Sequence, residues 1–390
     1  MEMENSEKIS SRGIWAGWRR TAQVQKETGY YTMKNEMTRS EILQQFDLIL
    51  DSESYGNGHI NDTYLVTMPR YILQRINTSI FTNPDELMDN IENVTAFLRE
   101  KIAAAGGDPD RETLMVVPAK DGGKYFKVDD DNVYRVYRFV ENTKSIENSK
   151  TAEDLYEAGV GFGHFQKLLA DFPVEKLHET IRDFHHTPKR IEALKAAISE
   201  NKAGRADSVK AEIAFALENA AWADAVVKGM EEGRIPVRVT HNDTKINNIL
   251  FDQESGKAVC VIDLDTVMPG SALYDFGDAL RIGGSAAAED EVDLEKVRFE
   301  VEAFEAFAKG YLSEMKEALT EAEIALLPLS VKLMTYECGI RFLTDYLNGD
   351  TYFKIHREQH NLDRARNQFK LVADITDKEA LLAEAVKKAV

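Results

Sequence analysis

The chain has 390 residues, 43% of them hydrophobic and 29% charged, which is typical of a folded globular protein and not of a disordered or fibrous one. An excess of 67 acidic over 48 basic residues gives a net charge of −19, which disfavours nucleic acid and anionic membrane surfaces as partners. The sequence has no run of roughly 20 apolar residues, no signal-peptide pattern at its start, and two cysteines without metal or disulfide spacing. We therefore expect a cytoplasmic, monomeric protein whose length suits two lobes.

Residues 1–37 show no clear periodicity and carry two of the three tryptophans. We expect them to be a flexible N-terminal extension, or the product of translation from an upstream start codon. The sequence from Thr38 to Glu41 fits a capping box and is followed by apolar residues at helical spacing. The folded body is therefore expected to begin at Thr38.

An alternating pattern in the next hundred residues predicts a strand-rich lobe. The first three strands are expected to be antiparallel, with a glycine-containing loop between the first two. Asn83 and Pro84 open a predicted helix with an apolar stripe. The predicted strands lie at 48–50, 63–66, 71–76, 114–118, 125–128 and 133–140.

Beyond Glu141 the pattern becomes helical, apart from a β interlude at 235–263. The predicted helices lie at 152–171, 188–201, 208–231, 288–319, 321–347 and 362–388. We therefore expect an α+β protein with a strand-rich N-terminal lobe at 38–140 and a mainly helical lobe at 141–390. The segment 139–142 is the expected joint.

The residues with side chains suited to catalysis are concentrated in the strand-forming segment at 235–263. A predicted strand leads into His241, and a predicted hairpin ends at Asp263. The spacing of Asp243, Asn248 and Asp263 is that of a phosphotransfer site: one aspartate accepts the proton of the acceptor hydroxyl, while the asparagine and the second aspartate hold magnesium against nucleotide phosphates. Lys245 follows Asp243 by two residues and is placed to reach the transferred phosphate.

Other interpretations fit the same residues. Asp243 and Asn248 can be turn caps and 263–265 a solvated hairpin end, although such a cluster of polar side chains is a poor way to build a core. The segment 261–266 also resembles the nucleophile strand of haloacid-dehalogenase-type phosphatases, but the parallel sheet and the later acidic pair that those enzymes need do not follow. His241 by itself is expected to be a buried structural histidine.

Several dispersed segments suggest a known family. Residues 239–281 include Val-Thr-His-Asn-Asp-Thr-Lys-Ile-Asn-Asn-Ile-Leu, Ile-Asp-Leu-Asp-Thr-Val-Met-Pro-Gly-Ser and Tyr-Asp-Phe-Gly-Asp-Ala-Leu-Arg. Other matching segments lie at 55–61, 71–74, 77–81, 135–139, 337–342 and 350–353. Together they resemble the aminoglycoside phosphotransferase (choline kinase-like) superfamily and, within it, the N-acetylhexosamine 1-kinases.

The resemblance implies a bilobal protein-kinase-like fold, with ATP and Mg²⁺ between the lobes and a sugar on the helical lobe. It implies that Asp243 is the catalytic base, assisted by Lys245, and that Asn248 and Asp263 are the magnesium ligands. The residues implied in nucleotide binding are Gly56, Asn57, Gly58, Gln74, Arg75, Phe139 and Glu141. The residues implied in sugar binding are His59, Asp265, Arg341 and Tyr352.

At some positions the sequence departs from the kinase pattern, and at others two roles are possible. Asn61 stands where the third glycine of the phosphate loop is expected, and Gln74, beside Arg75, stands where kinases carry a strand lysine. A salt bridge within the helical lobe is the alternative role for Arg341. Asp275 and Asp278 are expected to brace the 241–248 loop.

The resulting hypothesis is an ATP-dependent kinase that phosphorylates the anomeric hydroxyl of N-acetylglucosamine or N-acetylgalactosamine. The anomeric hydroxyl is more acidic than other sugar alcohols, so a single ordinary carboxylate suffices as its base. One alternative is a kinase of the same superfamily acting on another sugar, an aminoglycoside, choline or homoserine. The other is a catalytically inactive nucleotide-binding protein.

Overall fold

The computed structural model describes residues 37–48, 52–56, 60–67, 69–147 and 151–390. The helices are α1 (Arg39–Gln44), α2 (Pro84–Ala104), α3 (Pro109–Glu112), α4 (Ala152–Leu168), α5 (Thr187–Glu200), α6 (Lys210–Glu218), α7 (Ala225–Glu231), α8 (Ala272–Gly283), α9 (Val301–Met315), α10 (Glu321–Asn348) and α11 (His360–Ala389). The strands are β1 (Ser52–Ser54), β2 (Asp62–Val66), β3 (Tyr71–Ile76), β4 (Val116–Val117), β5 (Phe126–Lys127), β6 (Val133–Arg138), β7 (Thr143–Lys144), β8 (Arg238–Thr240), β9 (Ile249–Asp252), β10 (Ala258–Val261) and β11 (Met268–Gly270). The predicted α+β class is confirmed. The predicted extension at 1–37 lies, apart from Met37, outside the described residues.

The N-terminal sheet is antiparallel, with the order β1-β2-β3-β6-β4, and β5 also pairs with β6. Gln74 on β3 lies directly opposite Arg135 on β6. Because successive side chains of a strand point to opposite faces, Leu73 packs against α1 while Gln74 faces the other way. The predicted capping box is confirmed: Glu41 N donates to Thr38 Oγ1, and Thr38 N donates to the Glu41 carboxylate.

The second face of the sheet packs on α2. Asn83 caps this helix by accepting a hydrogen bond from Glu86 N at 3.4 Å, and Pro84 occupies its first turn, as predicted. Its apolar stripe is buried in a core that continues into the helical part of the protein. Asn90, also on α2, donates to the carbonyls of His178 and Val267, which fixes the helix to segments far along the chain.

The helical part surrounds a small group of strands. The predicted hairpin is confirmed as antiparallel β9 and β10, with β7 added on the free side of β9, while β8 pairs with β11. Helices α4 and α9 pack closely together, and α10 packs between α8 and α11. None of the helices in the described ranges has the length and apolar character needed to cross a membrane.

Two helix predictions need correction, and one strand prediction is covered only in part. Leu48 is buried after α1, whereas 49–50 of the predicted strand at 48–50 lie outside the described residues, and the first strand described is β1. The predicted helix at 208–231 is divided into α6 and α7, because Asn219 Nδ2 donates to the Phe215 carbonyl and ends α6. The predicted helix at 288–319 forms only from Val301, since Asp293 caps a separate short turn before it.

Helix α8 was not predicted, because it is only 12 residues long and carries Gly277 and Gly283, which lower helix propensity; its polar residues share one face, but they are buried. Its close approach to α10 depends on Gly277. A Cβ atom at Gly277 would lie 2.3 Å from the Ser330 carbonyl oxygen. This backbone contact fixes the position of α8 and of the acidic residues that it carries.

We predict that Gly277→Ala destabilises the protein by about 1–3 kcal/mol, because the added methyl group forces two helix backbones apart. The matched control is Gly283→Ala on the same helix, where the nearest atom is the end of the Leu155 side chain at 3.1 Å. The control should be neutral or slightly stabilising, owing to the higher helix propensity of alanine. Chemical denaturation measures both, and equal stability of the two variants would contradict this packing.

Candidate functional site

The 241–248 loop connects β8 to β9 and is held by Asp275 on α8. The Asp275 carboxylate accepts hydrogen bonds from His241 N at 2.8 Å, Asn242 N at 2.7 Å and Gln166 Nε2 at 2.6 Å. Asn242 has a left-handed backbone with φ of 64°, a conformation that costs energy in a residue with a side chain. The bracing role expected of Asp275 is therefore confirmed.

His241 is fully buried and links this loop to the end of β10. Its Nδ1 accepts a hydrogen bond from Asp243 N at 3.2 Å, so its Nε2 carries the proton and donates to the Ile262 carbonyl at 2.8 Å. A second link joins Ile262 N to the Asn248 carbonyl. These bonds set Asp243 beside Asp263, and they confirm the structural role expected of His241.

Asp243, Lys245 and Asn248 form a compact cluster. Lys245 Nζ lies 2.7 Å from Asp243 Oδ1, and Asn248 Nδ2 donates to Asp243 Oδ2 at 3.1 Å. Burial favours the neutral acid, but the charge of Lys245 and the hydrogen bonds from Lys245 and Asn248 outweigh it and lower the pKa of Asp243. Asp243 is therefore an ionised, partly exposed carboxylate at neutral pH.

Asp263 ends the β10 segment in a left-handed conformation, with φ of 61°, and a short 3-10 turn (Leu264–Thr266) follows. Burial, followed by the nearby carboxylates of Asp265 and Asp243, raises the pKa of Asp263 to about 7. Such crowding of negative charge creates a demand for a cation. The structure thus brings the predicted Asp243, Asn248 and Asp263 together.

The donor set suits a cation that is shared with phosphate. In the described residues no group of three or more His, Cys, Asp and Glu side chains is arranged to hold a metal ion. Asn248 donates to Asp243 through its amide nitrogen, so its side-chain oxygen is the atom left to act as a ligand. One or two oxygen ligands completed by substrate phosphates are typical of Mg²⁺ sites.

Asp265 is buried between the helical part and the N-terminal sheet. Its Oδ1 lies 2.5 Å from Arg135 Nη2, and its Oδ2 accepts a hydrogen bond from Asn61 Nδ2 at 2.6 Å. Asp265 therefore links the helical part to the sheet, and its expected contact with a sugar stays a prediction.

The predicted glycine loop is described only in part. Gly56 has a φ of 73°, as a turn after β1 requires, whereas Asn57, Gly58 and His59 lie outside the described residues. Asn61, which stands in place of the third glycine, accepts a hydrogen bond from Asn77 N at 3.0 Å in addition to binding Asp265. Asn61 therefore links the base of the glycine loop to Asp265, which belongs to the helical part of the protein.

Phe139 and Glu141 lie in the segment that links the sheet to the helical part. The Phe139 ring makes an edge contact with Tyr55, at 6.3 Å between centroids, and Arg70 stacks over it. Glu141 forms an ion pair with Arg70 at the surface. Tyr55 follows β1, so this segment and the start of the glycine loop share one wall.

The two candidates for the missing strand lysine point to opposite faces of the sheet. Gln74 accepts hydrogen bonds from Arg135 Nη2 at 2.9 Å and Nε at 3.1 Å, on the face toward Asp265. Arg75 is on the other face and pairs with Asp62, while Glu92 on α2 pairs with Lys124. The structure therefore does not bring Arg75 to the other predicted site residues.

Arg341 and Tyr352 lie together on the helical part. Arg341 is stacked among the rings of Phe184, Tyr352 and Phe353, with distances of 5.4 to 6.0 Å. The Asp345 carboxylate accepts hydrogen bonds from the backbone N–H groups of Tyr352 and Phe353, which holds this segment against α10. Among the described residues Arg341 forms no ion pair, so the alternative of a salt bridge is not realised.

Arg190 is a second cation near Arg341. It donates to the Phe184 carbonyl at 2.8 Å, and its buried Nε has no hydrogen-bond partner among the described residues. Burial, together with Arg341, lowers the pKa of Arg190. His185, next to Phe184, contacts the Asn242 carbonyl at 3.4 Å, so this pair of arginines adjoins the 241–248 loop.

Sequence reasoning missed a polar network beside Lys245. Arg281 on α8 is buried and pairs with Asp278 and Glu289. It borders a cavity of about 460 Å³ that Glu289 and Gln368 also line. Gln368 Oε1 accepts no hydrogen bond from the described residues. The signal available in the sequence was Arg281, one helical turn after Asp278 on a helix that otherwise carries buried side chains.

We predict that Asp275→Asn lowers the thermal stability, because the amide offers one acceptor oxygen where the carboxylate serves three donors. Loss of one charge-assisted hydrogen bond corresponds to about 2 kcal/mol. Asp224→Asn is the control, since Asp224 is exposed and its side chain caps no helix. Thermal unfolding that shows equal midpoints for the two variants would exclude the bracing role.

The solved structures that resemble this chain share its fold. An aminoglycoside phosphotransferase from Alicyclobacillus acidocaldarius subsp. acidocaldarius DSM 446 has a TM-score of 0.58 at 14% identity and covers 91% of this chain and 98% of its own. Choline kinase from Cryptosporidium parvum Iowa II has a TM-score of 0.54 at 13% identity, covering 86% and 91%. Amicoumacin kinase hAmiN, in complex with AMP-PNP and Ca²⁺, has a TM-score of 0.53 at 14% identity, covering 84% and 88%. These similarities confirm the predicted protein-kinase-like fold.

The family assignment rests on the sequence itself. A family model described as the phosphotransferase enzyme family matches residues 52–312, about two thirds of the chain. The match includes the N-terminal sheet, the 241–248 loop, the Asp263 turn and α8. The chain therefore belongs to the phosphotransferase enzyme family, whose members include kinases that act on small molecules.

Proposed function

We propose that the protein is an ATP-dependent kinase that phosphorylates the anomeric hydroxyl of an N-acetylhexosamine, either N-acetylglucosamine or N-acetylgalactosamine. The observation that carries the acceptor class is the pair of arginines, Arg190 and Arg341, which form no ion pair among the described residues, although the Glu337 carboxylate is near both. Such a surface offers hydrogen-bond donors to hydroxyl and acyl oxygens. It repels cations.

The proposal divides the chain at residue 140. Residues 38–140 bind the nucleotide and residues 141–390 carry the acceptor site, so that the wall formed by Tyr55 and Phe139 faces the base of ATP. The amicoumacin kinase of similar fold was solved with AMP-PNP and Ca²⁺. Asn248 and Asp263 would hold Mg²⁺, which supplies positive charge against the nucleotide phosphates when bound.

In the proposed reaction Asp243 accepts the proton of the anomeric hydroxyl. Its carboxylate is ionised and partly exposed, with one oxygen near Lys245 and the other near Asn248. Lys245 neutralises charge on the phosphate that is being transferred. Asp275 and His241 keep Asp243 in place, which matters because phosphoryl transfer depends mainly on alignment.

The charges around the cleft argue against a cationic acceptor such as choline or an aminoglycoside. An amine would call for unpaired carboxylates on the helical part, for example in the acidic segment 288–306. In the structure five carboxylates of this segment are paired with basic residues. The pairs are Glu289–Arg281, Asp290–Arg357, Glu291–Lys296, Asp293–Lys296 and Glu300–Arg298.

We predict that the protein with ATP and Mg²⁺ converts an N-acetylhexosamine into its 1-phosphate, detected by phosphorus NMR. Asp243→Asn should reduce kcat by about 10²–10⁴ because the general base is lost. Affinity for ADP should change little, and the exposed control Asp207→Asn should retain full activity. Phosphorylation of choline or an aminoglycoside instead, in a panel of acceptors, would overturn the proposed acceptor.

We predict that Arg341→Gln raises the KM for the sugar about 10- to 100-fold, because a charged donor to a bound sugar oxygen contributes about 1.5–3 kcal/mol. The KM for ATP should stay constant. Arg298→Gln is the control, since Arg298 is exposed on the same part of the protein. Steady-state kinetics with each substrate varied separately measures the effect. An unchanged sugar KM would place the acceptor elsewhere, with the cavity beside Gln368 as the next location to test.

A further inference from the structure

Arg135 is a charged residue in an unusual place. It lies in the middle of β6, and its side chain is only 1% exposed. Its neighbours on the same face of the sheet, Val133 and Tyr137, belong to the hydrophobic core. Burying an arginine there is costly unless its charge is compensated, so the partners of Arg135 indicate why the position is charged.

Those partners come from both parts of the protein. Within the N-terminal sheet, Gln74 accepts two hydrogen bonds from the guanidinium group. Across the cleft, Asp265 forms an ion pair with it at 2.5 Å, with a side chain that is 3% exposed. The pair therefore joins the sheet to the turn that begins at Asp263.

The turn is held at further points from the same side. Asn61 binds the second oxygen of Asp265, and Asn90 of α2 binds the Val267 carbonyl. Asp263, two residues before Asp265, has a left-handed backbone that its surroundings must maintain. Of these contacts on the turn, the one with Arg135 brings a positive charge, and it lies close enough to Asp263 to favour its ionised form.

In protein kinases the lysine of the third strand provides a fixed positive charge at the phosphate end of the cleft. Here that position is Gln74, which is neutral and hydrogen-bonded to Arg135. Gln74 and Arg135 are directly opposite residues of adjacent strands. The positive charge is therefore carried by the adjacent strand, β6, on the same face of the sheet.

We propose that Arg135 is a positioning residue for phosphoryl transfer: from β6 it supplies the buried positive charge that fixes the Asp263 turn against the nucleotide-binding sheet. This inference rests on the proposed use of a nucleotide, and it is independent of the acceptor. Arg135 acts through Asp265 and forms no bond to the reacting atoms. Its removal should therefore impair the phosphate and metal end of the nucleotide site and leave the base end intact.

The test compares wild type with Arg135→Gln, Arg135→Lys and the exchange variant Gln74→Arg/Arg135→Gln. Calorimetry measures the affinity for ADP with Mg²⁺ and, separately, for adenosine. Arg135→Gln should weaken MgADP at least tenfold and leave adenosine within twofold, whereas general destabilisation would weaken both. Arg135→Lys and the exchange variant should recover most of the MgADP affinity, because each restores a cation on this face.

Kinetics and stability complete the test. Arg135→Gln should lower kcat at saturating ATP about 100-fold, and the exchange variant should return it to within tenfold of wild type. Arg138→Gln is the matched control, because Arg138 lies on the same strand but on the opposite face and is half exposed. Thermal unfolding establishes that each variant is folded. If Arg135→Gln itself fails to fold, Arg135→Lys and the exchange variant carry the test.

The outcomes separate this inference from the proposed function. Wild-type affinity for MgADP and wild-type kcat in Arg135→Gln would overturn the inference, as would a folded exchange variant that is no better than Arg135→Gln. If wild type binds MgADP but phosphorylates an acceptor other than an N-acetylhexosamine, the proposed function is wrong and the role of Arg135 is still decided by these variants. A wild-type protein that binds no MgADP would overturn both.

Discussion

Four carboxylates, those of Asp243, Asp263, Asp265 and Asp275, lie close together with little exposure to solvent, and the surrounding structure compensates their charge. The charge of each carboxylate is compensated in a different way. Asp275 is satisfied by backbone N–H groups, Asp243 by Lys245 and Asn248, and Asp265 by Arg135 and Asn61. At Asp263, burial and then the neighbouring carboxylates of Asp265 and Asp243 raise the pKa to about 7, whereas burial alone raises the pKa of Asp275. A site that needs a cation at one defined carboxylate suits metal-assisted phosphoryl transfer.

This arrangement explains why the candidate site residues, which are close together in the sequence, are held in place by distant parts of the fold. The 241–248 loop is fixed by α8, whose position depends on a glycine in close contact with α10. The Asp263 turn is fixed by the N-terminal sheet and α2. The alignment of Asp243 with Asp263 therefore requires both parts of the protein, and a cleft between them is a consequence of how the charges are held.

The sequence allowed the fold class, the β9–β10 hairpin, the helix caps at Thr38 and Asn83 and the cluster around Asp243 to be predicted, because these depend on local patterns. It did not reveal α8, because the glycines of this 12-residue helix lower its helix propensity and its polar residues, Asp275, Asp278 and Arg281, are buried. It also did not reveal the pairing of Asp265 with Arg135, since ion pairs between distant segments leave no local pattern. A signal was nevertheless present: Arg135 alternates with Val133 and Tyr137 on a face that otherwise carries core residues.

The most direct test is a crystal structure of the protein with AMP-PNP, Mg²⁺ and N-acetylglucosamine. The account predicts that Asn248 and Asp263 coordinate the metal, that the anomeric oxygen lies within hydrogen-bonding distance of Asp243, and that Arg341 contacts the sugar. A metal bound away from Asp263, or a sugar whose anomeric oxygen is remote from Asp243, would contradict it.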